Sequence, residues 1–238
     1  MENRPMLLDL FCGAGGAAAG YAKAGFDVVG VDNRPMPRYP FPMVIANSLR
    51  PPFDLREFDA IHASPPCQAF SAGTRMWTGR LPDKRHPDLI EPVRELLLMS
   101  GKPYIIENVE GAPLNDPLML CGDMFGLGVK RHRIFETNFF VWKHAPCRKG
   151  HPDFFVSVFG GGALSRTPKN GSSKGTGNFM QRRSHVQNSI AKKAMGIDWM
   201  TRDELSQAIP PAYTEFIGRQ LMGILRNGSV GTNVKTQR

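Results

Sequence analysis

The chain opens on a short apolar run, Met6–Phe11, that ends in Cys12-Gly13-Ala14-Gly15-Gly16 and continues into the alanine-rich stretch 17–24. This order reads as strand, turn and helix. A second apolar run, Phe26–Val31, ends on Asp32. Further runs at Met43–Ala46, Phe58–Ala63 and Pro103–Glu107 read as strands, and Pro92–Met99 reads as a helix. Strands alternating with helices dictate an α/β fold, a mostly parallel sheet wrapped by helices. Between 159 and 178 the composition shifts to Gly, Ser, Thr and Lys without periodicity, which predicts a loop. Order returns at Ile190–Trp199, Thr201-Arg202-Asp203-Glu204 resembles a capped helix start, and a last helix is expected over Tyr213–Leu225.

A length of 238 residues suits one domain, or one domain with an insertion. The four cysteines, at 12, 67, 121 and 147, have no close-paired spacing, which argues against a disulfide framework and for a reducing compartment. No signal pattern and no membrane-length apolar run is read, so a soluble, cytoplasmic protein is expected. Charge is unevenly placed. Residues 138–194 hold ten of the 30 Lys and Arg but one of the 21 Asp and Glu, so the whole excess of +9 lies in that segment. A local basic block implies a polyanionic partner, most often nucleic acid. His144, Cys147 and His151 raise a zinc reading, with Cys121 the only further thiol nearby in sequence. Their spacing matches no standard structural site, so no metal is expected.

Two stretches carry chemistry. Pro65-Pro66-Cys67-Gln68 follows an apolar strand. Each proline fixes its own φ and restricts the residue before it, so the thiol is held at a strand's C-terminal end, where open α/β sheets bind ligands. That placement suits a nucleophile. The glycine turn after the first strand suits a nucleotide-like cofactor, with Asp32 placed for ribose hydroxyls. The turn departs from Gly-x-Gly-x-x-Gly and lacks a following Lys-Ser/Thr, which favours an adenosyl ligand other than a nicotinamide cofactor or ATP.

Asp9-Leu10-Phe11-Cys12-Gly13-Ala14-Gly15-Gly16, Pro65-Pro66-Cys67-Gln68, Glu107-Asn108-Val109 and Arg131-His132-Arg133 occur in this order, and Ala208-Ile209-Pro210-Pro211 leads to Phe216-Ile217-Gly218. Together they resemble the motif series of DNA (cytosine-5)-methyltransferases over residues 6–136 and 194–225. The resemblance implies a Rossmann-like, S-adenosylmethionine-dependent methyltransferase fold with a small, mostly irregular or β target-recognition insertion. It implies a catalytic domain over 1–137, a basic target-recognition region over 138–194, and a return to the catalytic domain over 195–238.

In that family a thiolate adds to C6 of a flipped-out cytosine in double-stranded DNA, and C5 then attacks the sulfonium methyl. The resemblance places Cys67 as the nucleophile and Glu107 at N3, with Gln68 beside them and Asn108 orienting the loop of Cys67. Arg131 and Arg133, alternating in a β-like segment, are expected on one face toward the flipped nucleotide. S-Adenosylmethionine is expected against Phe11, Cys12, Gly13, Ala14, Gly15, Asp32, Asn33, Asn47, Pro65, Gln207 and Ala208, with Phe11 on the adenine. Residues 70–86 are expected to close over the base. DNA contacts are expected from Ser71, Arg75, Arg80, Lys84 and Arg85 in that loop and from Arg166, Lys169, Arg182 and Arg183 in the basic region.

The pattern departs from the family at several points. Asn47-Ser48 stands where an acid follows the third strand, Val129 replaces a Gln, and Gln207 replaces an Asn. The target-recognition segment is also short. A small phage-like or bacterial enzyme acting as a monomer is expected, with a cognate restriction endonuclease as a candidate partner. An RNA cytosine-5 methyltransferase, an enzyme using a modified sulfonium donor, and a catalytically silent DNA-binding relative stay open as alternatives.

Overall fold

The computed structural model describes residues 4–70, 87–142, 147, 154–156, 158, 164–166 and 185–228. Its centre is a seven-stranded sheet in the order β3-β2-β1-β4-β5-β7-β6. The strands are β1 (Met6–Leu10), β2 (Asp27–Asp32), β3 (Met43–Ile45), β4 (Ala60–Ala63), β5 (Tyr104–Asn108), β6 (Leu118–Leu120) and β7 (Arg133–Thr137). The first five are parallel, and β7 runs antiparallel to both of its neighbours. The apolar run of β1 follows from its central place. Leu7, Leu8 and Leu10 are fully buried because both faces of the strand are covered.

Helix α1 (Gly16–Ala24) and the last helix, α5 (Pro211–Arg226), cover one face; α2 (Ile90–Ser100) covers the other. On the first face Leu7, Ala18, Tyr21, Ile105, Phe135, Tyr213 and Ile217 form one core. On the second, Leu8, Leu10, Ile61, Ile106, Val93 and Leu97 form another. A third, smaller cluster joins Ala14 and Val129 to Ala191, Met195, Met200 and Leu205, beneath α3 (His185–Met195) and α4 (Arg202–Gln207).

Sequence and structure differ at defined places. Strand β4 begins at Ala60 rather than Phe58, because Leu55–Glu57 forms a 3-10 turn whose Arg56 amide donates to the Asp54 side chain. The loop expected over 159–178 contains β9 (Leu164–Arg166), which pairs antiparallel with β8 (Phe154–Val156). Three-residue strands are too short to show alternation, so pairing alone reveals them. Helix α3 starts at His185, five residues before the expected return of order. The capping box at Thr201 is present: the Glu204 amide donates to Thr201 Oγ1 at 3.3 Å, and the Thr201 amide donates to Glu204 Oε2 at 2.6 Å.

The α1–α5 crossing is very close. A Cβ on Gly20 would lie 2.0 Å from Thr214 Oγ1 and 2.2 Å from the Pro211 carbonyl oxygen, so only glycine fits without backbone movement. The contact is used, since Thr214 Oγ1 donates to the Ala17 carbonyl at 2.8 Å. Overpacking at such a site costs about 1–3 kcal/mol or more. Gly20→Ala is therefore expected to lower the unfolding free energy by that amount, read as a lower urea midpoint at unchanged slope; an unaltered midpoint would mean the crossing is looser than described.

Candidate active site

The chain order of the sheet reverses between β1 and β4: β1 leads outward to β2 and β3, whereas β4 leads to β5. A parallel sheet opens a crevice at the carboxyl ends of its strands at such a switch point. Here the crevice is a cavity of about 540 Å³, walled by the turn after β1, the end of β2, the loop after β4, the end of β5 and residues 207–209.

The turn after β1 forms one wall. Phe11 has φ 57, a left-handed conformation that bulky residues rarely adopt and that costs about 1–3 kcal/mol. Its backbone is held there, because the Phe11 amide donates to Ser48 Oγ at 3.1 Å and Ser48 Oγ donates to the Val31 carbonyl at 3.2 Å. The Gly13 amide donates to Asp32 Oδ2 at 3.1 Å, and the Arg34 amide to Oδ1 at 3.1 Å, so the carboxylate that ends β2 braces the turn. Trp199 Nε1 donates to the Ala14 carbonyl at 2.8 Å. Gly16 is passed closely by the returning chain: a Cβ there would sit 2.6 Å from the Ile209 carbonyl oxygen.

Of the residues expected around the cofactor, Phe11, Cys12, Gly13, Ala14, Asp32, Asn33, Asn47, Pro65, Gln207 and Ala208 line this cavity. Gly15 does not; it is the left-handed N-cap of α1 and packs toward Tyr39 and Pro40. Asn47 Oδ1 accepts the Leu49 amide at 3.0 Å, which shapes the turn after β3.

The opposite wall carries the cysteine. The Ser64 amide donates to the Leu10 carbonyl at 3.1 Å, continuing the β1–β4 pairing to the loop. Asn108 Nδ2 donates to the Pro65 carbonyl at 3.0 Å, so the end of β5 grips the proline pair. The Phe70 amide closes a turn on the Cys67 carbonyl at 3.0 Å. Cys67 is half-buried and, with Gln68, Glu107 and Arg133, lines the same cavity as the glycine turn. Burial pushes the Cys67 thiol up, Arg133 pulls it down and Glu107 pushes it up again; burial wins.

Glu107 sits 3.0 Å from Arg133 Nε through Oε1, yet that oxygen accepts no hydrogen bond. The two charges meet at ion-pair distance with the N–H aimed elsewhere, because a hydrogen bond also needs alignment. One carboxyl oxygen thus keeps acceptor capacity inside the protein. Burial raises the Glu107 pKa, and Arg133, the Ser64 hydroxyl and Arg131 pull it back in that order. The net direction is up, toward a carboxyl that holds its proton.

Arg131 lies just before β7, not within it, so the two arginines do not project from one strand face as expected. Its Nη2 donates to the Ser206 carbonyl at 2.9 Å and its own carbonyl accepts the Tyr213 hydroxyl at 2.7 Å. Burial and then Arg133 hold the Arg131 pKa well below its ordinary value, with Glu107 and Cys67 close enough to oppose. Arg131 and Asn108 stand behind the cavity wall rather than in it.

Beneath Glu107 runs a chain that the motifs do not reveal. Tyr21 Oη is 2.9 Å from His62 Nδ1, and His62 Nε2 is 2.9 Å from Ser64 Oγ, which donates to Glu107. Burial lowers His62 to about 3, so the ring is neutral. Tyr21 then donates to Nδ1, and Nε2–H donates to Ser64. A histidine inside the four-residue apolar run of β4 is the one sequence sign of this chain. Asp9, the only polar residue of β1, also lines the cavity; burial and then Asp32 raise its pKa well above the ordinary value.

The expected DNA contacts at Ser71, Arg75, Arg80, Lys84, Arg85, Lys169, Arg182 and Arg183 lie outside the described residues, as do His144 and His151. Arg166 is placed by its backbone, on β9 opposite Phe154. Among the described residues no helix is long and apolar enough to cross a membrane.

No family model matches the chain. It is 33% identical over 127 residues to the type II methyltransferase M.XorII of Xanthomonas oryzae, an alignment of 46% of this chain and 29% of that protein. The chain thus matches under a third of that relative's length. Two solved structures superpose over nearly the whole chain, each with a TM-score of 0.59. A prophage-encoded E. coli protein, described as a DNA modification methyltransferase, is 16% identical and is covered to 99%, over 93% of this chain. The S. pombe Dnmt2 methyltransferase is 14% identical with the same coverage. The chain has the Rossmann-like fold of these methyltransferases, in agreement with the resemblance carried by its motif series.

The Ser64 hydroxyl lowers the Glu107 pKa, so removing it must raise that pKa. Ser64→Ala is expected to move the Glu107 carboxyl titration, followed by carboxyl carbon NMR, to higher pH; Glu107→Gln identifies the signal by deleting it. A midpoint that stays in place or falls would mean the hydroxyl donates elsewhere.

Proposed function

We propose that the chain is an S-adenosylmethionine-dependent methyltransferase that modifies C5 of a cytosine flipped out of double-stranded DNA. The observation that carries this reading is the single cavity in which Cys67, Glu107 and Arg133 face the glycine turn after β1. The group fits the residues present. The volume lies within the roughly 300–1,000 Å³ of small-molecule sites. Phe11 offers a ring, and Asp32 and Asn33 end a strand where ribose hydroxyls bind in this architecture. When bound, S-adenosylmethionine supplies an electrophilic methyl group.

Cytosine C5 is a poor nucleophile, and the protein's part is to change that. Thiolate addition from Cys67 to C6 makes C5 enamine-like, and loss of the C5 proton followed by elimination of Cys67 restores the ring. Charge develops at N3 during addition. Glu107 answers it with a carboxyl whose pKa burial raises, the direction a general acid at neutral pH needs. Cys67 has the harder task, because burial raises its pKa and disfavours the thiolate. Arg133 and Arg131 oppose that effect from the side of β7. Asn108 holds the loop through Pro65 and so acts as a positioning residue. The basic segment over 138–194 is assigned to the DNA backbone and the target sequence, and the charge of residues 70–86 to phosphates beside the flipped base.

Trapping tests the chemistry. With S-adenosylmethionine and a duplex containing 5-fluorocytosine, the C5 position has no proton to lose and the adduct cannot resolve. A covalent protein–DNA species is expected, absent in Cys67→Ser, whose turnover on ordinary duplex should fall by about 10³-fold or more, the scale of removing a nucleophile from a catalytic unit. No adduct on DNA would overturn the reading; an adduct on 5-fluorocytosine RNA alone would move the substrate to RNA.

Binding gives an independent check. Neutralising Arg182 and Arg183 together should flatten the slope of log affinity against log salt by about 1.8, since each phosphate contact contributes about 0.9. An unchanged slope would place both arginines off the DNA backbone.

A further inference from the structure

Three metal-ligating side chains from separate parts of the chain converge outside the cavity. Cys121 follows β6 and is fully buried, His132 stands between Arg131 and Arg133, and Cys147 belongs to the basic segment. Their two sulfurs and one ring nitrogen all lie within 4.8 Å of one another. Cys147 Sγ is 3.7 Å from His132 Nε2. The Cys121 thiol is in hydrogen-bonding contact with Cys147 and donates to the Lys130 carbonyl at 2.9 Å. None of the three lines the cavity at the switch point.

We propose that Cys121, His132 and Cys147 bind a zinc-like divalent cation that ties the basic segment to the arginine-bearing end of β7. The spacing fits. Zinc at about 2.3 Å from sulfur and about 2.05 Å from nitrogen, in tetrahedral geometry, separates S from N by about 3.6 Å and S from S by about 3.8 Å. The ligand set fits as well, because two thiolates and an imidazole select borderline and soft cations over magnesium or calcium. The second nitrogen of the ring supplies a further sign. His132 Nδ1 is 3.0 Å from Glu110 Oε2, which leaves Nε2 facing the thiols. A carboxylate on the far nitrogen fixes the tautomer and ring orientation of a metal-binding histidine. A disulfide between the two cysteines would need neither the histidine nor Glu110. Solvent completes the coordination.

Such a cation fixes the backbone of residue 132, and with it the residues on either side whose guanidinium groups flank Glu107. It also anchors Cys147, in the segment that carries the whole charge excess, beside Arg131 and Arg133. This inference does not depend on the methyltransferase reading.

The test uses the full chain and cobalt as the probe. Metal-free, reduced protein is titrated with Co²⁺ and its absorption followed. One equivalent is expected to bind, with near-ultraviolet sulfur-to-cobalt charge-transfer bands and the visible bands of tetrahedral cobalt, all reversed by zinc. Cys147→Ser should lose the part of the charge-transfer intensity that its own sulfur supplies and bind at least 100-fold more weakly. Glu110→Gln, an exposed position that preserves folding, should bind about 10–100-fold more weakly, the usual effect of losing such a carboxylate. Cys67→Ser should titrate like the unaltered protein. The absence of stoichiometric cobalt binding by the reduced chain would overturn the proposal, as would an identical spectrum from Cys147→Ser. A Cys121–Cys147 disulfide in air-exposed protein whose reduced form takes up no cobalt would replace it with a redox pair.

Discussion

The parallel pairing of β1 with both β2 and β4 is the constraint on which the site depends. Leu10 stands opposite Val31 on one side and Ala63 on the other, so the strands finish at one level. The turn beginning at Phe11 and the loop beginning at Ser64 must then emerge side by side. The Ser64 amide still bonds the Leu10 carbonyl, which carries the sheet's order into the cysteine loop. Nothing in the loop alone could set the distance between a thiol and a glycine turn some fifty residues earlier. Backbone hydrogen bonding does it, and the low strain of a regular ladder makes the placement stiff. The left-handed Phe11 is the local cost of turning the chain sharply at that level.

Two buried acidic side chains on neighbouring strands are held in different ways. Glu136 on β7 is saturated: Arg94 Nε and Nη2 donate to it at 2.8 Å each, the Asn115 amide at 2.7 Å and the Tyr104 hydroxyl at 3.3 Å. A buried ion pair so fully hydrogen-bonded is held in its place. Glu107 on β5 also faces an arginine, but one oxygen lacks a bonded donor and burial raises its pKa. The Glu136 arrangement fixes α2 and the 113–115 turn to the sheet. The Glu107 arrangement stays short of a partner, which suits the exchange of hydrogen bonds with a substrate proposed for it.

The legible parts of the sequence were those where chemistry and local geometry share a few residues. Pro65 and Pro66 restrict the backbone into Cys67, and the glycines after β1 mark a turn, so both walls of the cavity could be named without the fold. The C-terminal contributors Gln207 and Ala208 came only through the resemblance of a motif, because no periodicity relates them to Phe11. Gly15 illustrates the limit: a glycine-rich turn says which segment approaches a ligand but not which glycine merely ends a helix. The chain from Tyr21 through His62 and Ser64 to Glu107 draws on α1, β4 with its loop, and β5, and Cys121, His132 and Cys147 come from three separate segments. Spacing along the chain carries no trace of such meetings, and the spacing of His144, Cys147 and His151 pointed to a different grouping from the one Cys147 joins.

The return of the C-terminal segment has a consequence for how the protein is made. Trp199 caps the Ala14 carbonyl from 185 residues away and Thr214 caps that of Ala17 from 197 away. During synthesis the first strand and its turn leave the ribosome long before either donor exists. Until residues 199–217 arrive, the apolar face of α1 and the Ala14 carbonyl ahead of it lack these partners. The β1–α1 segment is therefore among the last parts of the fold to mature, because it waits on donors 185 and 197 residues downstream.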